Sequence, residues 1–186
     1  MRPTNDGMGS HLRLSGLLLG ALTVLACGSA RAETLSLSPH TGTLALGTIV
    51  AASPATSFHV DANSGLITNT GGTGFVLTTS TVATPTVTLQ CVQTPGNCKG
   101  AYKIVFTNGA SAGRPASITA FNTANVSVTS GVTATATSGS SPLTFNINST
   151  ANNWTVSFKL GVDVTFSSSA TTGNTSVTYS IAATGP

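Results

Sequence analysis

Charged residues are scarce in this sequence. Only 11 of its 186 residues are Lys, Arg, Asp or Glu, which is 6% where an ordinary soluble domain has about 25%. Lys and Arg form no cluster, so a nucleic-acid-binding surface is excluded. Glu occurs once, which excludes coiled coils and helical bundles. With 40% hydrophobic residues, the chain is too apolar for an intrinsically disordered tail.

Long hydrophobic runs are also missing. The one extended apolar stretch, Leu14–Cys27, is 14 residues long, short of the roughly 20 that a membrane-spanning helix needs. Arg2 and Arg13 precede it and Ala30-Arg31-Ala32 follows it, which is the pattern of a secretory signal peptide. We expect residues 1–32 to be cleaved, leaving no integral membrane segment in the mature chain. The alternative is a lipoprotein signal, in which Cys27 is acylated and tethers the protein to a membrane.

After residue 32, few side chains could act in catalysis or bind a metal ion. They comprise two histidines and three acids, which are His40, His59, Glu33, Asp61 and Asp163. His59 and Asp61 are two residues apart in a strand pattern, about 6.6 Å, which is too far for a direct hydrogen bond. Asp163 is about 13 Å along a strand from Lys159 and is predicted to be a solvated surface charge. From these observations the sequence predicts no catalytic residue, metal ligand or cofactor, and the protein is not expected to be an enzyme.

The sequence is rich in hydroxyl side chains and in segments where apolar and polar residues alternate. Thr (33) and Ser (23) make up close to a third of the chain. In Val156–Phe166 every even position is apolar and every odd position is not, the period-two pattern of a strand with one buried face. About ten such segments, separated by Gly-, Asn- and Pro-containing turns, predict an all-β sandwich or barrel. No linker divides residues 33–186, so we expect a single domain.

Cysteine usage agrees with export. Without Cys27, the pair Cys91 and Cys98 remains, and we expect a disulfide between them in an oxidising compartment. Pro95-Gly96-Asn97 can turn the chain between the two. A redox or metal pair is the alternative, but the spacing is not C-x-x-C and no other Cys or His cluster is near.

Three segments of the chain resemble a family of secreted bacterial β-proteins, described as a domain of unknown function and grouped with the Mat-type fimbrillins. The segments are Leu44–Val50 followed by Phe58–Gly65, then Ala101–Phe106, and last Phe158–Val164 followed by Gly173 and Val177–Ile181. The resemblance implies an Ig-like or pilin-like β-sandwich and a surface or fimbrial subunit of chaperone–usher type. It also implies a homopolymer, a periplasmic chaperone and an usher as partners, and a location in the periplasm, at the cell surface or outside the cell.

The scarcity of charge gives a separate argument for assembly. Sheet edges are usually protected by Lys or other charges, whereas an unprotected edge can pair with an extended segment of a neighbour. Residues 33–43 are a candidate donor extension, and the candidate donor side chains are Leu35, Leu37, Leu44 and Leu46. A break at Pro39–Gly42 separates the two leucine pairs. The alternative is that this stretch forms the domain's own first two strands.

A second function fits the same composition. The protein could be a monomeric secreted adhesive module that binds a carbohydrate or another surface through its Ser/Thr-rich loops.

Overall fold

A computed structural model describes residues 34–50, 55–77, 81–92, 98–112, 115–137, 139–168 and 172–186. The predicted signal peptide with Cys27, the first residue of the donor extension (Glu33) and the predicted turn at 95–97 lie outside the described residues. All described residues belong to one compact unit, Arg31–Pro186.

The described residues form twelve β-strands and no helix, which confirms the prediction of an all-β fold. The strands are β1 (Thr34–Ser38), β2 (Thr41–Val50), β3 (Thr56–Val60), β4 (Ile67–Gly71), β5 (Phe75–Val76), β6 (Thr86–Val92), β7 (Gly100–Ala112), β8 (Ala116–Val128), β9 (Val132–Ala136), β10 (Leu143–Ser149), β11 (Trp154–Phe166) and β12 (Gly173–Thr184). All the pairings between these strands are antiparallel.

The first sheet is organised around β11. On one side, β8 pairs with β11 from Val156 to Phe166. On the other side two strands share its length, since β6 pairs with Trp154–Lys159 and β3 pairs with Val162–Phe166. β1 lies outside β6 and β4 lies outside β3. The edges of this sheet are therefore β1, β4 and β8.

The second sheet has the strand order β5-β2-β12-β7-β10-β9. Its edges are β9 on one side and, on the other, β2 with the two-residue strand β5, which pairs only with Ile49 and Val50. The inward residues of the two sheets pack against each other in one hydrophobic core. Phe145 stacks on Phe158 across the sheets, with ring centroids 4.4 Å apart. The architecture is a β-sandwich, the first of the two folds that the sequence allowed.

The alternating pattern of β11 explains its central position. Every even residue from Trp154 to Phe166 is buried. The odd residues are partly exposed, with the exception of Gly161, which is also buried. A strand with this strict period two can bury one whole face only if another sheet covers it.

The chain changes sheets near its beginning. β1 pairs with β6 in the first sheet, whereas β2 pairs with β12 in the second. Pro39 and His40 form the connection, and the amide of Ile181 on β12 donates to the His40 carbonyl at 2.7 Å. The first half of the predicted break, Pro39 and His40, is thus the point at which the chain crosses between the sheets, whereas Thr41 and Gly42 already belong to β2.

Candidate functional site

The first half of the candidate donor extension is an edge strand. β1 pairs with β6 in an antiparallel register from Thr34↔Val92 to Ser38↔Thr88. Leu37 is buried and Leu35 is half-buried against the core, while Ser36 between them is exposed. The two leucines therefore occupy the inward positions of a strand, as the alternation requires.

The other two candidate donor side chains have a different environment. Leu44 and Leu46 lie on β2 and are fully buried. β2 is hydrogen-bonded to β12 over eight residue pairs. The four leucines proposed as donor side chains thus belong to two sheets. Leu35 and Leu37 lie on the edge strand β1, which among the described residues pairs with β6 and no other strand.

The edge strands share one property, the absence of charge. None of β1, β2, β4, β5, β8 and β9 contains Lys, Arg, His, Asp or Glu. The ionisable Lys, His and Asp side chains that lie on described strands are on interior strands: His59 on β3, Lys103 on β7, and Lys159 and Asp163 on β11. Natural sheets more often place charge on their edges, where it opposes pairing with another chain.

The ionisable groups concentrate on the outer face of the first sheet. The His59 Nδ1 atom is 2.5 Å from Asp163 Oδ1, and the two side chains are 35% and 38% exposed. They are direct cross-strand neighbours on β3 and β11. The next outward pair, Ser57 and Thr165, is joined at 2.8 Å through the two hydroxyl groups. Asp163 thus lies partly exposed on the outer face, as predicted, and its partner there is His59, which the sequence did not indicate.

Asp61 does not join this pair. Its Oδ1 atom accepts hydrogen bonds from the amide of Asn63 at 3.1 Å and from the amide and the hydroxyl of Ser64, each at 2.7 Å. The Ser64 amide, followed by its hydroxyl, holds the pKa of Asp61 below its ordinary value of 3.8. Lys159 donates to the Asn63 carbonyl at 3.0 Å and closes the same turn from β11. These contacts organise a turn at the end of β3.

The chemistry available to the cluster is limited. In the part of the chain that the structure describes, no three His, Cys, Asp or Glu side chains converge as metal ligands would. The hydroxyls nearest the His59–Asp163 pair along the strands, Ser57 and Thr165, bond to each other. The cluster is thus arranged to fasten β3 to β11.

The predicted disulfide is present. Cys91 and Cys98 are bonded, with Cα atoms 5.8 Å apart, and both residues are fully buried. The Trp154 indole donates to the Cys98 carbonyl at 2.8 Å and packs edge-on against Tyr102 at 4.8 Å. The disulfide therefore links β6 to the segment before β7 within a buried aromatic environment.

Two open grooves lie on the surface of the described part of the chain. One of about 580 Å³ lies beside β9 and includes Gly131 and Thr150, and another of about 310 Å³ lies between β1 and the end of β12. The first has no ionisable side chain in its lining, and the second has only His40. Neither combines the acid, base and nucleophile groups of a hydrolytic site.

Among the described residues, no helix has the length and hydrophobicity needed to cross a bilayer. Comparison of the chain with protein-family models, with curated proteins and with solved structures finds no match. The resemblance to the Mat-type fimbrillins therefore stays a prediction.

Proposed function

We propose that the protein is a non-catalytic structural subunit, exported from the cell, that assembles with copies of itself into a fimbrial or pilus-like polymer by β-strand complementation. The observation that carries the proposal is the absence of charge from every described edge strand. An edge without charge has no electrostatic barrier to an added strand, and its backbone amides and carbonyls are ready to pair.

The donor in this proposal is β1. It is an edge strand at the start of the predicted mature chain, so it can leave without threading any other segment. Its five residues place only Leu35 and Leu37 toward the core. Burying a leucine contributes about 1.5–3 kcal/mol, so releasing β1 costs a few kcal/mol. A neighbour's β1 restores the same contacts, and the exchange is therefore close to neutral in free energy.

The acceptor is the edge of β6. The register Thr88–Val92 would receive Thr34–Ser38 of the next subunit just as it receives the chain's own β1. The groove of about 310 Å³ between β1 and β12 is lined in part by Leu35, Leu37 and Ile181. After exchange, the two leucines of the neighbouring subunit would take the positions of Leu35 and Leu37 in this lining. The Cys91–Cys98 disulfide fixes one end of β6.

Exchange creates a need for partners. Once β1 has left and before a neighbour replaces it, β6 is an exposed edge beside an open core, which is a state prone to aggregation. A periplasmic chaperone that covers this edge and an usher that orders the exchange are the partners that the proposal implies. The protein would then act in the periplasm and at the cell surface.

The test compares two single substitutions on β1. Leu37→Asp places a charge at a buried, inward position, whereas Ser36→Asp places the same charge at the exposed neighbouring position. We expect the Ser36→Asp protein to form rods visible by negative-stain electron microscopy, because position 36 points away from the core and faces the uncharged Gln90, so the carboxylate stays in water while β1 pairs with β6. The Leu37→Asp protein should remain folded by circular dichroism and form no rods.

Two results would count against strand complementation. Rods formed equally well by the Leu37→Asp protein would exclude β1 as the donor. A wild-type protein that elutes only at its formula mass at every concentration, with no rods, would contradict assembly itself.

A second function is favoured by the outer face of the second sheet. Hydroxyl and amide side chains dominate its outward positions and include Thr41, Thr43, Thr107, Thr135, Thr144, Asn146, Asn174, Ser176, Thr178 and Ser180. Such a face suits a carbohydrate or another hydrated surface, and a monomer could use it as an adhesive module. A monomeric elution profile together with retention on insoluble polysaccharide would favour this function over the polymer.

A further inference from the structure

A groove of about 440 Å³ lies on the second sheet, where β7, β10 and the end of β12 meet. Its lining includes Lys103, Asn146, Asn148 and Thr184. The groove of about 580 Å³ beside β9 adjoins it, since Ala101 and Asn148 line both. We call the four side chains of Lys103, Asn146, Asn148 and Thr184 the Lys103 site.

The strand register places most of this site in one row. Asn146 on β10 is the direct cross-strand neighbour of Lys103 on β7, and Lys103 is the neighbour of Thr184 on β12. Thr135 on β9 continues the row on the other side of Asn146. All four residues are exposed. Because neighbouring strands are about 4.8 Å apart, the row is about 14 Å long, and an extended ligand lying along it can contact every member.

The polar groups of the Lys103 site are unpaired. Among the described residues, the side chains of Lys103, Asn146 and Asn148 make no hydrogen bond or ion pair. Elsewhere on the same face, the hydroxyls of Thr107 and Ser180 bond to each other at 2.6 Å. A side-chain amide offers donors and an acceptor together, so Asn146 and Asn148 can pair with neighbouring hydroxyl groups of a sugar.

The site also contains a cation that no neighbour neutralises. Lys103 is the only charged residue on the described strands of the second sheet. On the first sheet, His59 contacts Asp163, and Lys159 donates to the Asn63 carbonyl. A single ammonium group among neutral amides and hydroxyls suits a ligand that is rich in hydroxyls and carries a carboxylate. A nucleic acid would instead need a cluster of cations.

We propose that the Lys103 site binds an acidic polysaccharide, with the Lys103 ammonium pairing with the carboxylate of a uronic acid and the Asn146 and Asn148 amides bonding to sugar hydroxyls. The inference rests on the second function proposed above, carbohydrate binding by this face, and names its ligand and residues. It does not depend on strand exchange, because β1 and β6 belong to the other sheet.

Each site should bind its ligand weakly. Tyr102 is the aromatic residue in the lining, and it is only 2% exposed, so it offers no ring on which a sugar can stack. An exposed ion pair strengthens binding by at most about fivefold. In a polymer the site would repeat from subunit to subunit, and simultaneous contacts along one polysaccharide chain would raise the overall affinity.

The experiment is a calorimetric titration of the mature chain with tetragalacturonate and with the same oligomer after reduction of its carboxyl groups. We expect the acidic oligomer to bind the wild type about fivefold more tightly at low ionic strength. High salt should remove this preference, because it screens exposed charges. Equal affinity for the two oligomers, or no binding of either, would overturn the proposal.

Two substitutions locate the charge that is recognised. Lys103→Gln should lower the affinity for the acidic oligomer to that for the neutral one and leave the neutral oligomer unaffected. Lys159→Gln, which removes a lysine from the other sheet, is the matched control and should retain the wild-type preference. Equal effects of the two substitutions would show that net charge, not the Lys103 site, attracts the ligand.

A further variant tests the amides without changing their shape. Asn146→Asp places a carboxylate next to Lys103 in the row and should abolish the preference for the acidic oligomer, with an unchanged circular dichroism spectrum. A retained preference would contradict the site. Retention of the wild type on neutral polysaccharide, without preference for the acidic oligomer, would support the adhesive function and refute only the Lys103 site. The presence or absence of rods concerns strand complementation alone.

Discussion

The side-chain amide of Asn122 on β8 lies directly over Gly161 on β11. Its Nδ2 atom donates to the Val60 carbonyl at 3.2 Å, and its Oδ1 atom accepts from the Ala62 amide at 3.0 Å. A Cβ atom on Gly161 would lie 2.3 Å from both Asn122 Oδ1 and the Val60 carbonyl oxygen. Leu160 and Gly161 are the two residues of β11 at which pairing with β6 has ended and pairing with β3 has not yet begun. The Asn122 amide thus bridges the junction between β6 and β3 beside β11, and the missing side chain of Gly161 leaves room for it.

Gly161→Ala should destabilise the protein markedly. The added methyl group meets backbone atoms of β3, which cannot move without disturbing its pairing, and overpacking of this kind costs about 1–3 kcal/mol. Urea denaturation should show a lower midpoint with an unchanged slope. Gly71→Ala is the matched control, because a Cβ there would make only an ordinary contact of 3.9 Å with Ser57. Equal losses in the two proteins would mean that the close contacts around Gly161 impose no special cost on an added methyl group.

The sequence was sufficient to predict elements whose signal is local. The alternation in Val156–Phe166 predicted a strand with its even residues buried, and the structure shows β11 over Trp154–Phe166 with those residues inside. Period two follows from strand geometry alone and needs no knowledge of the neighbours. The disulfide was predictable from the cysteine count, because only two cysteines remain after the expected leader.

Relationships between distant segments could not be predicted in the same way. His59 and Asp163 are 104 residues apart, and their contact depends on the register between β3 and β11. The Asn122 bridge depends on the register between β8 and β11. The sequence also could not tell which strands are edges, so it grouped Leu35 and Leu37 with Leu44 and Leu46, although the two pairs belong to different sheets.

The His59–Asp163 pair should contribute a small but measurable coupling energy. Both side chains are more than a third exposed, so solvent screening limits their interaction to about 0.2–1 kcal/mol. A double-mutant cycle with His59→Gln and Asp163→Asn, read by urea denaturation at pH 6, isolates this term. A cycle with Ser57→Ala in place of Asp163→Asn is the control and should show less coupling. Coupling indistinguishable from zero would mean that the hydrogen bond does not fasten β3 to β11.

Tyr179 should make stability fall at alkaline pH. Burial raises the pKa of its phenol above the ordinary value of 10.0. The folded protein therefore keeps this proton at a pH at which the unfolded chain has lost it. Stability from this group is fully present below about pH 10 and is lost as the pH rises through the folded-state pKa. Thermal midpoints between pH 9 and pH 11 should fall less steeply for Tyr179→Phe than for the wild type. Parallel curves would contradict the assignment to Tyr179.

Loss of the disulfide should destabilise the protein without changing its fold. Cys91 and Cys98 are seven positions apart, and on the chain-entropy model closing so short a loop contributes about 2–3 kcal/mol. The double substitution Cys91→Ser with Cys98→Ser should lower the stability by at least this amount, because both positions are fully buried and a buried serine hydroxyl needs a partner. Cys91→Ala with Cys98→Ala avoids the hydroxyl and is the fairer measure of the cross-link. Dithiothreitol should lower the urea midpoint of the wild type and leave the alanine variant unchanged. A wild-type midpoint that does not respond to complete reduction, checked by thiol titration in urea, would show that the aromatic contacts of Trp154 and Tyr102 hold this end of β6 without the bond.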